Sequence, residues 1–224
     1  MSSRPFIFPA WTNSLRVAVA VVGGVVPMYI ALLVAYGAVP ETTDVGYQPT
    51  QPVPFSHSMH AGDLGMDCRY CHSTVEVAAH AAVPPTQTCM NCHSVVQRDS
   101  DKLVRVLESA ATGNPIPWVR VHDLPDYSYF DHSAHVNRGV GCVECHGRVD
   151  RMEVVYQAKP LSMGWCLECH RNPEPNLRPR SHITRRDLPA AQAATDAGVS
   201  QADLARDYQI RSAQYLTSCS VCHR

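Results

Sequence analysis

All ten cysteines of this 224-residue chain fall into five Cys-x-x-Cys pairs: Cys68/Cys71, Cys89/Cys92, Cys142/Cys145, Cys166/Cys169 and Cys219/Cys222. A histidine follows each pair at once: His72, His93, His146, His170 and His223. Zinc ribbons, redox dithiols or disulfides give no reason for a histidine after every second cysteine. With twelve histidines in the chain, composition alone would produce five such coincidences with odds of roughly one in a million. Cys-x-x-Cys-His is the spacing of covalent haem c attachment, in which both thiols add to the haem vinyl groups and the next imidazole ligates iron from the proximal side. The sequence therefore predicts five haem c groups.

That expectation constrains the fold. Residues 40–224 shared among five haems leave roughly 37 residues for each, too few for an ordinary protein-only core. The predicted fold class is mainly α with much irregular structure, wrapped around porphyrins. No strand pattern is convincing. Two segments read as helices. Asp101–Ala111 carries Leu103, Val106, Leu107 and Ala110 on one face, with Ser100 to cap it and Gly113 to end it. The run after Ser200 places Ser200 and Asp203 in a capping-box relation. The formal charge of −1 becomes roughly −11 once ten ionised propionates are added. Basic runs are absent, so nothing suggests a nucleic-acid partner.

Val17–Val39 runs for 23 residues without a charge, long enough to cross a bilayer as a helix. Gly23, Gly24 and Pro27 are points where it can kink. Arg4 and Arg16 precede it and the next basic residue is Arg69, so the positive-inside rule predicts a cytoplasmic N-terminus (residues 1–16) and a haem region on the outer, periplasmic side of a bacterial inner membrane. Ala35-Tyr36-Gly37 is a weak cleavage site, and retention as an anchor is the expectation. Trp11, Phe6 and Phe8 fit an interfacial belt or a contact with neighbouring membrane helices. Residues 40–54, with Pro40, Pro49, Pro52 and Pro54, read as an extended linker. Residues 55–224 form the predicted pentahaem domain.

A duplication organises that domain. Phe55-x-His57-x-x-His60 leads into the first pentad and Phe130-x-His132-x-x-His135 into the third, and a second pentad follows each after 16 (Ser73–Thr88) or 19 (Gly147–Trp165) residues. The two histidines of each segment lie one helical turn apart, side by side. If both ligate iron, they serve two different haems, which must then pack closely. The pattern predicts two related di-haem units, about 55–93 and 130–170, plus a fifth haem at 219–223. His122 stands in reserve as an iron ligand. His80 and His182 each stand alone near prolines or loops. Arg148, Arg171 and Arg224 follow haem motifs, where they can pair with propionates or remain solvated.

The Phe-x-His-x-x-His then Cys-x-x-Cys-His order resembles the cytochrome c3/c7 class. The set PFSHSMH, CRYCH, CMNCH, VHDLPDYSYFDHSAHV, SMGWCLECHR and CSVCHR more narrowly resembles the pentahaem, membrane-anchored cytochrome subunit of bacterial alternative complex III. The hexahaem cytochrome of the related quinone reductase complex is similar too, but this chain has five motifs. The resemblance implies mostly bis-histidine haems and one His–Met haem. On that basis Met163, in Ser-Met-Gly-Trp-Cys, is the expected sulfur ligand, with Met152 a weaker candidate, and His57, His60, His132 and His135 take the other four distal positions. The resemblance also implies polytopic membrane subunits and an iron–sulfur subunit as partners. A soluble cytochrome or an oxidase is the implied acceptor, and the chain itself is not catalytic. Two other classes remain. A tetrahaem-type membrane quinol dehydrogenase would bring its first haem close to the helix, whereas here the Pro-rich segment intervenes. A catalytic multihaem reductase needs an open iron position, whereas all five pentads end in histidine.

Overall fold

The computed structural model describes residue 9 and residues 11–223. Arg4, Phe6, Phe8 and Arg224 lie outside them. The chain divides into two compact units that meet between residues 43 and 44.

The first unit is built on one helix, α1 (Thr12–Gly37), of 26 residues. At 1.5 Å per residue it is about 39 Å long, more than the roughly 30 Å of a hydrocarbon core. Its apolar stretch Ser14–Gly37 is exposed throughout, as expected of a surface that faces lipid rather than protein. The helix starts five residues before the uncharged run, because polar Thr12–Arg16 contains no breaker. It stops at Ala38, short of Pro40, as the restriction on residues before proline requires. Pro40 then opens a single turn, α2 (Pro40–Thr43), at a position where its missing N–H costs nothing.

In the second unit the described residues contain no strand. Only an isolated bridge joins Val140 and Leu177. Short helices follow one another: α3 (Cys68–Cys71), α4 (Thr86–His93), α5 (Val104–Thr112), α6 (His132–Val136), α7 (Cys142–His146), α8 (Met163–Arg171), α9 (Ala190–Asp196), α10 (Gln201–Asp207), α11 (Ala213–Leu216) and α12 (Cys219–Cys222). The predicted helix at 101–111 begins as a 3-10 turn, Asp101–Leu103, capped by the Ser100 hydroxyl, which accepts from Lys102 N, and continues as α5. It ends at Gly113, whose φ of 78° is the left-handed cap glycine tolerates best. Val106 is buried, and Leu103, Leu107 and Ala110 are half-buried on the same face. The capping box of Ser200 and Asp203 on α10 is formed in both directions.

The expected extended linker holds only past the helical turn at Pro40–Thr43 and the turn at 44–46; from residue 47 on the Pro-rich segment has no regular structure, but it is not free. Gln48 Nε2 donates to Val154 O at 2.8 Å, and Gln51 exchanges two bonds with the Val119 backbone. Gly46 N and Gln157 N pair with the carbonyls of Gln157 and Tyr47. Glutamine amides thus satisfy loop backbone that has no ladder partner.

Protein side chains alone make a thin core. Leu177, Ala194 and Leu204 form one buried cluster, edged by Val140, Val199, Ala205, Tyr208 and Ile210. The described surface amounts to 15,153 Å², against about 10,000 Å² for a folded monomer of this mass. Part of the difference is α1. Another part surrounds the cysteine motifs, where Val77, Val95 and Tyr127 are largely exposed.

Candidate haem-binding sites

Each pentad is folded as about one helical turn: α3 with His72 after it, the C-terminal half of α4, α7, the C-terminal half of α8, and α12 with His223 after it. At i, i+3 and i+4 on one turn, two thiols and an imidazole share a face. That is why the chemistry needs this spacing. None of the ten cysteines is joined to another.

The histidines are held in one tautomer by a repeated device. Nδ1 donates to a backbone carbonyl in His60 (Ser56 O, 2.8 Å), His72 (Ala82 O, 2.8 Å), His93 (Val96 O, 3.0 Å), His132 (Ala79 O, 2.8 Å), His135 (Asp131 O, 2.7 Å), His170 (Leu216 O, 3.0 Å) and His223 (Tyr127 O, 2.9 Å). A carbonyl can only accept, so Nδ1 carries the proton and Nε2 keeps its lone pair. This is the orientation a metal-binding imidazole takes from its outer hydrogen bond.

Three of the pentad histidines each lie beside a histidine of a Phe-x-His-x-x-His segment. Ring centroids are 6.1 Å apart for His60 and His93, 6.3 Å for His132 and His146, and 6.1 Å for His135 and His170. The last two pairs lie within 5° and 21° of parallel. Two imidazoles on opposite faces of one iron should have centroids about 6.2 Å apart, taking roughly 2.0 Å for each metal–nitrogen bond and about 1.1 Å from nitrogen to centroid. The residues present therefore fit a six-coordinate haem iron between each pair. His57 lies close enough to His72 for their charges to interact, and its Nδ1 is buried without a partner.

The duplication recurs in three dimensions. Phe55 meets His57 edge-on at 4.8 Å and stacks on His60 at 4.4 Å; Phe130 does the same with His132 at 4.8 Å and His135 at 4.5 Å. In the first copy the backbone makes a π-helical turn, Ser58–Asp63; in the second it is α6, capped by Asp131. Within the first turn, Gly62 leaves no room for a Cβ against Asp150 O, so the turn packs directly on the backbone at Asp150.

Burial favours the neutral, ligating form of His57, His122, His135 and His146. It is the main cause that pushes the pKa of His57 down to about 4 and of His146 to about 3, with neighbouring histidines adding to it. His135 and His122 are lowered for the same reason. Among the thiols, Cys145 is pushed up to about 12 by burial and by Cys169 and Cys166.

The other expected positions divide. His122 lies edge-on to His146 at 4.4 Å, too near to sit across an iron from it, with its Nε2 buried and unpartnered. Met163 is the first residue of α8, 64% exposed, one turn before Cys166. Met152 is buried in packing. His80 is exposed, and His182 Nδ1 lies 3.3 Å from the Ser181 hydroxyl. Arg148 is bound to Asp150 at 2.8 and 2.6 Å, while Arg171 is exposed.

Two features had no sequence signal. Arg178 is wholly buried, paired with Glu144 inside the third pentad and donating to Arg185 O. The carbonyl of Ala79 accepts both His132 N and His132 Nδ1, and its near neighbours Glu76 and Ala78 hold Asn137 and Ser133. Residues 76–82 thus carry the second histidine segment while Ala82 fixes His72.

Residues 36–113 match the family model described as the class III cytochrome C family. The chain is 31% identical over 177 residues, 67% of its own length and 82% of the relative's, to a protein of Nitratidesulfovibrio vulgaris named menaquinone reductase, multiheme cytochrome c subunit. With its paired imidazoles, its cysteine turns and that likeness, the chain belongs to the class III multihaem cytochrome c family, whose cofactor is haem c.

Proposed function

We propose that this chain is a membrane-anchored, five-haem electron-transfer subunit of a quinone-linked respiratory complex. Each haem c supplies a one-electron ferric/ferrous couple. The ten cysteines hold the five groups covalently, and His72, His93, His146, His170 and His223 are the proximal ligands. His57, His60, His132 and His135 serve as distal ligands, and Met163 completes the set, with His122 in reserve. The observation that carries this reading is the spacing of the three imidazole pairs, 6.1–6.3 Å between centroids, each pairing a pentad histidine with one from a Phe-x-His-x-x-His segment.

Helix α1 would anchor the subunit, with residues 1–16 in the cytoplasm and the haem domain on the periplasmic side. One exposed apolar helix offers little pocket for a quinol. The quinone site therefore belongs to polytopic partners, with an iron–sulfur subunit completing the complex. Two directions of flow are on the table. The alternative complex III reading carries electrons from quinol to a soluble cytochrome or oxidase. The relative's name, menaquinone reductase, favours the opposite flow, into the quinone pool.

The test is intact-mass analysis of the native protein followed by affinity isolation from membranes. Five covalent haems, no alkylatable thiol, and co-isolation of polytopic and iron–sulfur subunits are expected. Four haems would end the five-site reading. A lone chain that oxidised quinol unaided would make it a quinol dehydrogenase of the tetrahaem kind. Following the haems spectrally on addition of quinol, then of menaquinone after reduction, decides the direction.

A further inference from the structure

The numbering of the pentads does not match their neighbours in space. Sites 1 and 2 are joined by Asn91, which donates to the Tyr70 hydroxyl at 3.1 Å, and Cys71 lies near Cys89. Sites 1 and 3 adjoin: the Cys68 thiol lies beside that of Cys142. The loop after His182 ties the same two sites, since Ile183 O accepts from Cys142 N at 3.3 Å and Thr184 Oγ1 donates to Asp67 Oδ2 at 2.8 Å. Sites 3 and 4 share the strip Asn176–Arg178. Arg178 binds Glu144 of the third pentad, and Asn176 donates to Cys169 Sγ of the fourth at 3.5 Å. Cys145 also lies near Cys166 and Cys169. Sites 4 and 5 are linked through α8 and α11, where His170 Nδ1 reaches Leu216 O, and Cys166 lies near Cys222.

Burial agrees with these neighbours. Of the ten cysteines only Cys92, of site 2, and Cys219, of site 5, are exposed; the other eight are half-buried. A line has two ends, and these are the two sites with a single neighbour.

We propose that the five attachment sites form one unbranched line in the order 2–1–3–4–5, with sites 2 and 5 as its solvent-facing ends. The twinned histidines set this order. His57 and His60 bind sites 1 and 2 together, His132 and His135 bind 3 and 4, and the approach of Cys68 to Cys142 brings an attachment site of one unit against one of the other. One-electron redox proteins would then meet the chain at the turns around Cys92 and Cys219 rather than at its middle. This inference rests on the five-haem reading, and its test separates the two.

The experiment is a density map of the native haem-loaded chain, good enough to assign each porphyrin to its cysteine pair. The expected result is five porphyrins, with sites 1 and 3 adjacent and the porphyrin edges of sites 2 and 5 the most exposed. Four porphyrins would overturn the five-haem reading. Five porphyrins with site 2 or site 5 lying between two others would overturn the order alone. If sites 3 or 4 had the most exposed edges, the assignment of the ends would fall.

Discussion

The imidazoles of His132 and His146 lie parallel within 5°, 6.3 Å between centroids, although fourteen positions of chain separate them. His132 is held there by Ala79 O, a carbonyl from the preceding half of the domain. His146 is held by the end of α7 and by burial. Two unrelated constraints produce one parallel pair at the separation that two imidazoles on a six-coordinate metal need.

Replacing His132 by alanine should therefore empty one distal position and no other. His135, one turn further on, keeps its own hydrogen bond to Asp131 O and its own partner, His170. The reduced variant is expected to bind carbon monoxide at about one haem per chain, with one low-spin signal converted to high spin. Saturation at two haems would show that the twin histidines do not serve separate irons.

Met163 stands one turn before Cys166, which lies near Cys222 of the last site. Sites 2, 3 and 4 have a facing imidazole in ring contact; His57 is assigned to site 1, which leaves site 5 for the thioether. Methionine at leucine's volume differs mainly by the sulfur, and a thioether axial ligand raises the haem potential. Met163→Leu should lower one titration step by on the order of 0.2 V, within the range axial ligands command, and leave the others nearly in place. An unchanged redox titration would make the sulfur mere packing and bring His122 forward.

Arg178 is fully buried and pairs with Glu144, itself 25% exposed. Removing one partner of such a pair leaves a charge with no compensation. Arg178→Met is expected to cost about 3 kcal/mol in denaturant unfolding. The double change Arg178→Met with Glu144→Gln should recover at least about half of that loss, because the stranded carboxylate is gone. Equal losses in the single and double variants would mean that Arg178 acts through packing alone.

Gly139 has a φ of 85°, and an added Cβ would stand 2.7 Å from Arg178 O and 2.6 Å from the Tyr208 ring. Both strain and collision oppose alanine there. Gly139→Ala should destabilise the domain by about 2–3 kcal/mol, read as a lower melting temperature with haem content unchanged. Gly198→Ala is the control: its φ is 71° but nothing lies within 4 Å of its Cβ position, so only the smaller conformational cost applies.

Much of this was legible from residue spacing. Cys-x-x-Cys-His needs one helical turn and obtains it five times, and the twin histidines read as neighbours because i and i+3 share a helix face. The helix at 101–111 and the capping box at Ser200 were written in local chemistry and formed as expected. What could not be read was long-range. No pattern announces that Ala79, Ala82, Leu216 and Tyr127 will lend carbonyls to histidines, since any residue can supply a carbonyl. Nothing in the sequence singles out Arg178, because its burial depends on partners brought from elsewhere in the chain, Glu144 and Arg185 O. The Pro-rich segment reads as an extended linker, and only the partners of Gln48 and Gln51 reveal that it is fastened.

The loop 76–82 has a consequence for how such a protein can change. Its carbonyls fix the imidazole of His72 at one end and that of His132 at the other. The strength of an outer hydrogen bond sets how much electron density an imidazole gives its metal. A substitution that shifts this loop thus retunes two stations in different halves of the domain at once. The two copies, though similar enough to betray a common template, can no longer drift independently, and adaptation to a new donor or acceptor has to be found through changes that suit both.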